Sequence, residues 1–155
     1  MAIITLNDLV KNDLAQSATV TTKPVDRGPW IQTHTGVAFH ILDPQPEDIA
    51  IEDIAHALSN TCRFVGHTNK FYSVAQHSVI ISDHLPQHLK LAGLLHDASE
   101  AYLNDFARPF KKLLIQYSGL EAWLMGAIAN KFGFEYPFDP LVKQADTAIL
   151  HDERD

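Results

Sequence analysis

His96 and Asp97 follow the apolar run Leu91-Ala92-Gly93-Leu94-Leu95, and Glu100 comes four residues after His96. Setting an imidazole and two carboxylates on the inward face of an apolar helix costs several kcal/mol unless something pairs with them. On a helix His96 and Glu100 share a face and Asp97 lies about 100° round the axis from His96, so all three groups can enter one cleft. A divalent metal ion is the partner such a set calls for. A solvated helix end with an incidental His-Asp pair is the competing reading of the dipeptide alone.

Two further segments add inward polar groups. Phe71 through Ser82 reads as a helix with Val74, His77 and Ile81 on one apolar stripe, which turns His77 to the interior. Pro140 through Leu150 opens with a proline suited to the first helical turn, and Val142, Asp146 and Ile149 align on its apolar face. Singly, an inward His is ordinarily a hydrogen-bonded core residue and an Asp near a helix start ordinarily a cap. Together, His77, His96, Asp97 and Asp146 offer two imidazole nitrogens and two carboxylates, and leave positions on a divalent ion for water and substrate. That arrangement favours hydrolysis over a structural role. The mixed donors suit manganese, cobalt, zinc, nickel or iron.

The ordered combination of Cys62-Arg63-Phe64, Tyr72-Ser73-Val74-Ala75-Gln76-His77-Ser78, Leu95-His96-Asp97-Ala98-Ser99-Glu100-Ala101-Tyr102, Asn104-Asp105 with Arg108-Pro109-Phe110-Lys111, and Ala145-Asp146 resembles the HD-domain metal-dependent phosphohydrolases from about Trp30 to Asp155. It is most similar to their small single-domain branch, which contains bacterial 5′-deoxynucleotidases and phage deoxynucleoside triphosphohydrolases. The resemblance implies His77, His96, Asp97 and Asp146 as metal ligands and Glu100 as the carboxylate that activates the attacking water. It implies Arg63 and Phe64 as a pair that holds phosphate and packs on the nucleoside. Asp105 matches a further catalytic carboxylate near the substrate, and Lys111 a basic residue near the phosphate.

The reaction so implied releases phosphate and deoxynucleoside from a 5′-deoxynucleotide. Hydrolysis of a deoxynucleoside triphosphate to tripolyphosphate is the near alternative, and a nucleotide-binding sensor without turnover is an alternative of another class. A homo-oligomer, dimer or larger, is also implied. Gly66, lacking a side chain, is expected at the nucleoside wall, where it would leave base choice permissive.

The spacing departs from the family pattern in two places. His77 and His96 are 19 positions apart, which requires a tight link around Pro86. Nine residues follow Asp146, so the domain is expected to end short at its C-terminus, with Leu150 to Asp155 similar to the start of a segment that closes the pocket in relatives. His67 is a rival first ligand, but Gly66 beside it reads as loop, and Gln76-His77-Ser78 matches better.

The elements needed to position these residues are mainly helical. A mainly α, HD-domain helical fold is expected, with a short N-terminal β-hairpin made by Trp30 to Thr33 and Val37 to Ile41 around Gly36. Residues 1–28 are expected to form an N-terminal arm and 29–155 the phosphohydrolase domain. Glu47 through Leu58 reads as a helix with Ile51, Ile54, Ala55 and Leu58 inward. Lys111 to Tyr117 reads as a short helix, Gly119 as a break, and Leu120 to Phe132 as an amphipathic helix with Trp123 in the core and Gly133 at its end. His34, His40 and His56 are expected to be structural or exposed.

With 155 residues, of which 46% are hydrophobic, the chain can bury a core without disulfides. The single Cys62 is expected to be a buried apolar thiol, and it permits a reducing, cytoplasmic setting. A net charge of −7 disfavours a nucleic-acid polymer as partner, and the absence of a long apolar stretch disfavours a membrane. A small deoxynucleotide is still compatible, because local charge outweighs net charge at contact distance.

Overall fold

The computed structural model describes residues 26–153. The expected arm of residues 1–28 lies, up to residue 25, outside the described residues. The chain is mainly helical. Strand β1 (Trp30–Gln32) pairs antiparallel with β2 (Ala38–His40). Helices α1 (Ile51–Asn60), α2 (Val74–Asp83), α3 (Lys90–Leu94), α4 (Glu100–Leu103), α5 (Arg108–Lys111), α6 (Tyr117–Phe132) and α7 (Pro140–Asp152) follow. Short 3-10 turns occupy Pro46–Asp48, Arg63–Gly66 and Gln87–Leu89.

The start of α2 is fixed by a capping box. Ser73 Oγ accepts from the Gln76 amide at 3.1 Å, and Gln76 Oε1 accepts from the Ser73 amide at 2.9 Å. The helix therefore begins at Val74, not at Phe71, and its buried face carries Val74, His77, Ser78 and Ile81. Val74 belongs to a core cluster with Phe39, Ile54, Leu58, Tyr102 and Leu124, while Ile81 belongs to a second with Leu85, Ala92, Val142 and Ile149. His77, one turn from each, sits where the two clusters meet. Helix α7 starts at Pro140 under an Asp139 cap that accepts from the Leu141 amide at 2.8 Å.

His96 and Asp97 do not continue the helix of the apolar run as expected: α3 ends at Leu94 and α4 begins at Glu100. After Leu94 the backbone tightens: the Ala98 amide bonds Leu95 O at 3.0 Å and the Glu100 amide bonds Asp97 O at 2.9 Å, both three residues back. The region before the break packs closely on the end of α2: a Cβ on Gly93 would lie 2.3 Å from Leu85 Cδ1, so a larger residue there would require the Leu85 side chain to move. Periodicity within one segment carries no trace of that contact.

Other boundaries also shift. Helix α1 begins at Ile51, and its buried residues are Asp53, Ile54 and Leu58, whereas Ile51 and Ala55 are exposed. Asp53 takes the inward place because Thr35 of the hairpin turn satisfies its carboxylate, by amide at 2.7 Å and by hydroxyl at 2.8 Å. Arg108–Lys111 is helical in place of Lys111 to Tyr117. Helix α6 runs through Gly119, where a Cβ would meet only open space, so the cost is the propensity penalty of about 1 kcal/mol. Leu124, Met125, Ile128 and Ala129 form its buried face, which leaves Trp123 49% exposed instead of in the core. Cys62 is only partly buried, with Sγ 3.8 Å from Thr68 Oγ1. His34 and His56 stack at the surface, and His40 Nδ1 bonds Gly28 O at 3.1 Å, as a structural or exposed role requires.

Candidate metal centre and its cavity

α2, the turn after α3, and α7 bring His77, His96 and Asp146 together. One candidate ligand atom from each lies within 4.8 Å of the other two. His77 Nε2 is 3.4 Å from Asp146 Oδ1, and Asp97 Oδ2 is 3.2 Å from His96 Nε2 and 3.8 Å from His77 Nε2. Asp97 thus flanks the three-residue cluster and is not one of its mutual set. His67 is exposed on the 3-10 turn, away from the rival role considered for it.

The protonation pattern of the two imidazoles follows from their outer partners. Nδ1 of His96 lies 2.7 Å from Gly93 O, a group that can only accept, so the Nδ1 proton is used there. His77 Nδ1 donates to Glu153 Oε1 at 2.6 Å in the same way. In the neutral rings both Nε2 atoms therefore carry bare lone pairs. Both are buried with no hydrogen-bond partner among the described residues. Two orphaned lone pairs beside ionised carboxylates are what a divalent cation satisfies, and outer-sphere bonds to Nδ1 are the usual way such histidines are oriented. The donors present fit a metal.

The carboxylates have outer partners too. Lys143 Nζ contacts Asp146 Oδ2, Arg108 Nη2 lies 3.9 Å from the same oxygen, and Arg63 Nη1 lies 3.7 Å from Asp97 Oδ2. Burial would push both carboxyls up, but for Asp97 it is outweighed by His96, His77 and Arg63, which hold it at about 2. For Asp146 it is outweighed by His77 and Lys143, which hold that carboxyl far below its usual range. Burial would likewise lower His77, yet the neighbouring carboxylates of Asp146 and Glu153 raise it.

The centre opens into a cavity of about 550 Å³, within the range of small-molecule sites. Arg63, Phe64, Asp97, Glu100, Asp105 and Lys111 all line it, together with His96 and Asp146. Glu100 is 5% exposed and is pushed well above its usual value, by burial first and then by Asp97 and Asp105. Burial also raises Asp105. Lys111 does not stand free as a phosphate contact: its Nζ bridges Glu100 Oε1 at 2.9 Å and Glu121 Oε1 at 2.7 Å. Glu100 Oε2 and Arg63 Nε remain buried with no partner among the described residues. Phe64 stands at φ 54° and Val65 at φ 56°, a left-handed pair that carries Arg63 and the Phe64 ring to the cavity wall with the guanidinium 5.2 Å from the ring centroid. Gly66 is not part of that wall, contrary to expectation.

Sequence reasoning missed Glu153, Tyr72, Glu121, Arg108 and Lys143 as neighbours of the site. Glu153 was legible in principle, since it stands seven residues, two helical turns, after Asp146 and so shares its face.

No family model matches the chain. Over 125 residues it is 42% identical to the uncharacterized protein YfdR of Escherichia coli (strain K12), a stretch that covers 81% of this chain and 70% of that protein. Over 132 residues it is 36% identical to the uncharacterized protein RCAP_rcc00048 of Rhodobacter capsulatus, covering 76% of this chain and 67% of that one. No helix among the described residues is long and apolar enough to cross a membrane. By this identity and coverage the chain belongs to the family that includes YfdR and RCAP_rcc00048.

Proposed function

We propose that the protein is an HD-type metal-dependent phosphohydrolase that releases phosphate and deoxynucleoside from 5′-deoxynucleotides. The observation that carries this reading is the pair of orphaned Nε2 atoms of His77 and His96, set beside Asp146 and Asp97 and opening on a cavity with Arg63 on one wall and Glu100 on another. His77, His96 and Asp146, with Asp97 alongside, would hold manganese, cobalt, zinc, nickel or iron. A divalent ion supplies Lewis acidity toward a phosphoryl oxygen and makes water more acidic.

The chain's own groups complete the chemistry. Glu100, held well above its usual range by burial and by Asp97 and Asp105, takes a proton from the attacking water and can return one to the leaving oxygen. Lys111 keeps Glu100 in place and ionisable. Arg63, with Nε free, meets the phosphoryl oxygens as charge builds on them, and Phe64 offers a face to the nucleoside. Asp105 adds a second carboxylate at the substrate end of the cavity.

A second reading, deoxynucleoside triphosphohydrolase, is favoured by Arg108 and Lys143, two exposed cations on the cavity wall that could meet further phosphates. Product analysis decides between them. Metal-loaded protein is given deoxynucleoside mono- and triphosphates, with Asp97→Ala as control. Orthophosphate with nucleoside from monophosphates supports the first reading, and tripolyphosphate supports the second. Nucleotide binding without turnover would replace both with a sensor. A cytoplasmic homo-oligomer belongs to the same proposal, and light scattering on the purified chain tests its oligomeric part.

A further inference from the structure

Glu153 touches three groups of the site at once. Its Oε1 lies 2.6 Å from His77 Nδ1 and 2.7 Å from the Tyr72 hydroxyl, and its Oε2 lies 2.9 Å from Arg63 Nη2. The side chain is 6% exposed, so these contacts are sheltered from solvent. Its place is set by α7: the Glu153 amide bonds Ile149 O at 2.9 Å, which continues the turn that follows Asp146. One helix face thereby presents Asp146 to the Nε2 side of His77 and Glu153 to its Nδ1 side.

We infer that Glu153 is the positioning residue of the metal centre, fixing His77 in the Nδ1-protonated form with Nε2 bare while holding the guanidinium of Arg63 at the cavity wall. The inference rests on the metal-dependent reading above. A carboxylate suits the role better than a carbonyl, because its charge increases the imidazole's donor strength toward a cation. The same charge balances Arg63, which stands between Glu153 and Asp97. Tyr72 donates its hydroxyl to Glu153 and so keeps the carboxylate from rotating away. Removing Glu153 therefore removes orientation from a ligand and from an anion-binding group in one step.

The test compares wild type, Glu153→Gln and Tyr72→Phe by calorimetric titration of metal-stripped protein with Mn²⁺, and reads the His77 tautomer at alkaline pH by long-range ¹H–¹⁵N NMR. Loss of an outer-sphere partner ordinarily costs about 10–100-fold in metal affinity, and Glu153→Gln should fall in that range. Tyr72→Phe, which removes one neutral donor and leaves the charge in place, should lose about two- to tenfold. Wild type should show Nδ1 protonated, and Glu153→Gln a tautomer mixture. Unchanged Mn²⁺ affinity in folded Glu153→Gln, or an unchanged tautomer, would overturn the inference. If Glu153→Gln does not fold, Tyr72→Phe with wild-type affinity would overturn it. Failure of the hydrolase reading looks different: wild type binds Mn²⁺ with Glu153 dependence and turns nothing over. A wild type that binds no Mn²⁺ overturns both.

Discussion

The two ends of the cavity both bury carboxylates and treat them oppositely. At the histidine end, Asp97, Asp146 and Glu153 are held below their usual values, and at the far end Glu100 and Asp105 are held above theirs. Burial pushes every one of them up, so the company each keeps makes the difference. His77, His96, Arg63 and Lys143 surround the first group, whereas Glu100 and Asp105 face Asp97 and have Lys111 as a nearby cation. One end therefore holds its carboxyls ionised, and the other holds its carboxyls above their usual range.

The largest effect should come from breaking the histidine end. On the proposed reading His96→Ala removes a ligand outright, so Mn²⁺ affinity should fall by more than the roughly 100-fold ceiling for an outer-sphere loss, and phosphate release should drop to background. Calorimetry and a phosphate assay on the same preparation check this. At the far end Glu100→Gln should lower kcat by about 10²–10⁴-fold while Mn²⁺ still binds, which separates the proton carrier from the metal centre.

The same variant exposes the opposite proton linkage. A carboxyl raised on folding contributes stability that is present below its unfolded value and lost as pH rises through its folded value. Glu100 does this, whereas the lowered Asp97 contributes stability that is present above its unfolded value and lost as pH falls toward about 2. Metal-free Glu100→Gln should therefore gain Tm relative to wild type as pH rises above the ordinary glutamate range, by roughly 2–4 °C per kcal/mol. A difference flat in pH would mean that Glu100 is not held high.

Lys111→Met should sharpen the contrast with a smaller effect. Without the cation Glu100 rises further, so the acid limb of the pH–rate profile should move to higher pH and kcat at neutral pH should fall about tenfold for each unit of movement. The smallest effect belongs to Val65, exposed at φ 56°, where a β-branched residue is strained. Val65→Gly should raise Tm by a few degrees, a net gain of about 1 kcal/mol after the entropy of glycine is set against the relief. A fall in Tm would show that the Val65 side chain makes a contact worth more than its strain.

What was legible in the chain divides along similar lines. The stripes that turn His77 and Asp146 inward are periodic within single helices, and the hairpin announces itself through alternation and Gly36, so local pattern was enough. The break after Leu94 was not legible, because no proline marks it in the apolar run that precedes His96. Nor was the engagement of Lys111 with Glu121, a pairing made by α5 and α6 crossing. Trp123 misled because a long helix with apolar residues all round offers several candidate stripes, and packing against the core chose Leu124 and Ile128.

Metal titration of stripped wild-type protein tests the central claim most directly. A metal centre built from His77, His96 and Asp146 requires one Mn²⁺ bound per chain, with that binding abolished in His96→Ala. No bound ion, or a stoichiometry untouched by His96→Ala, would contradict it.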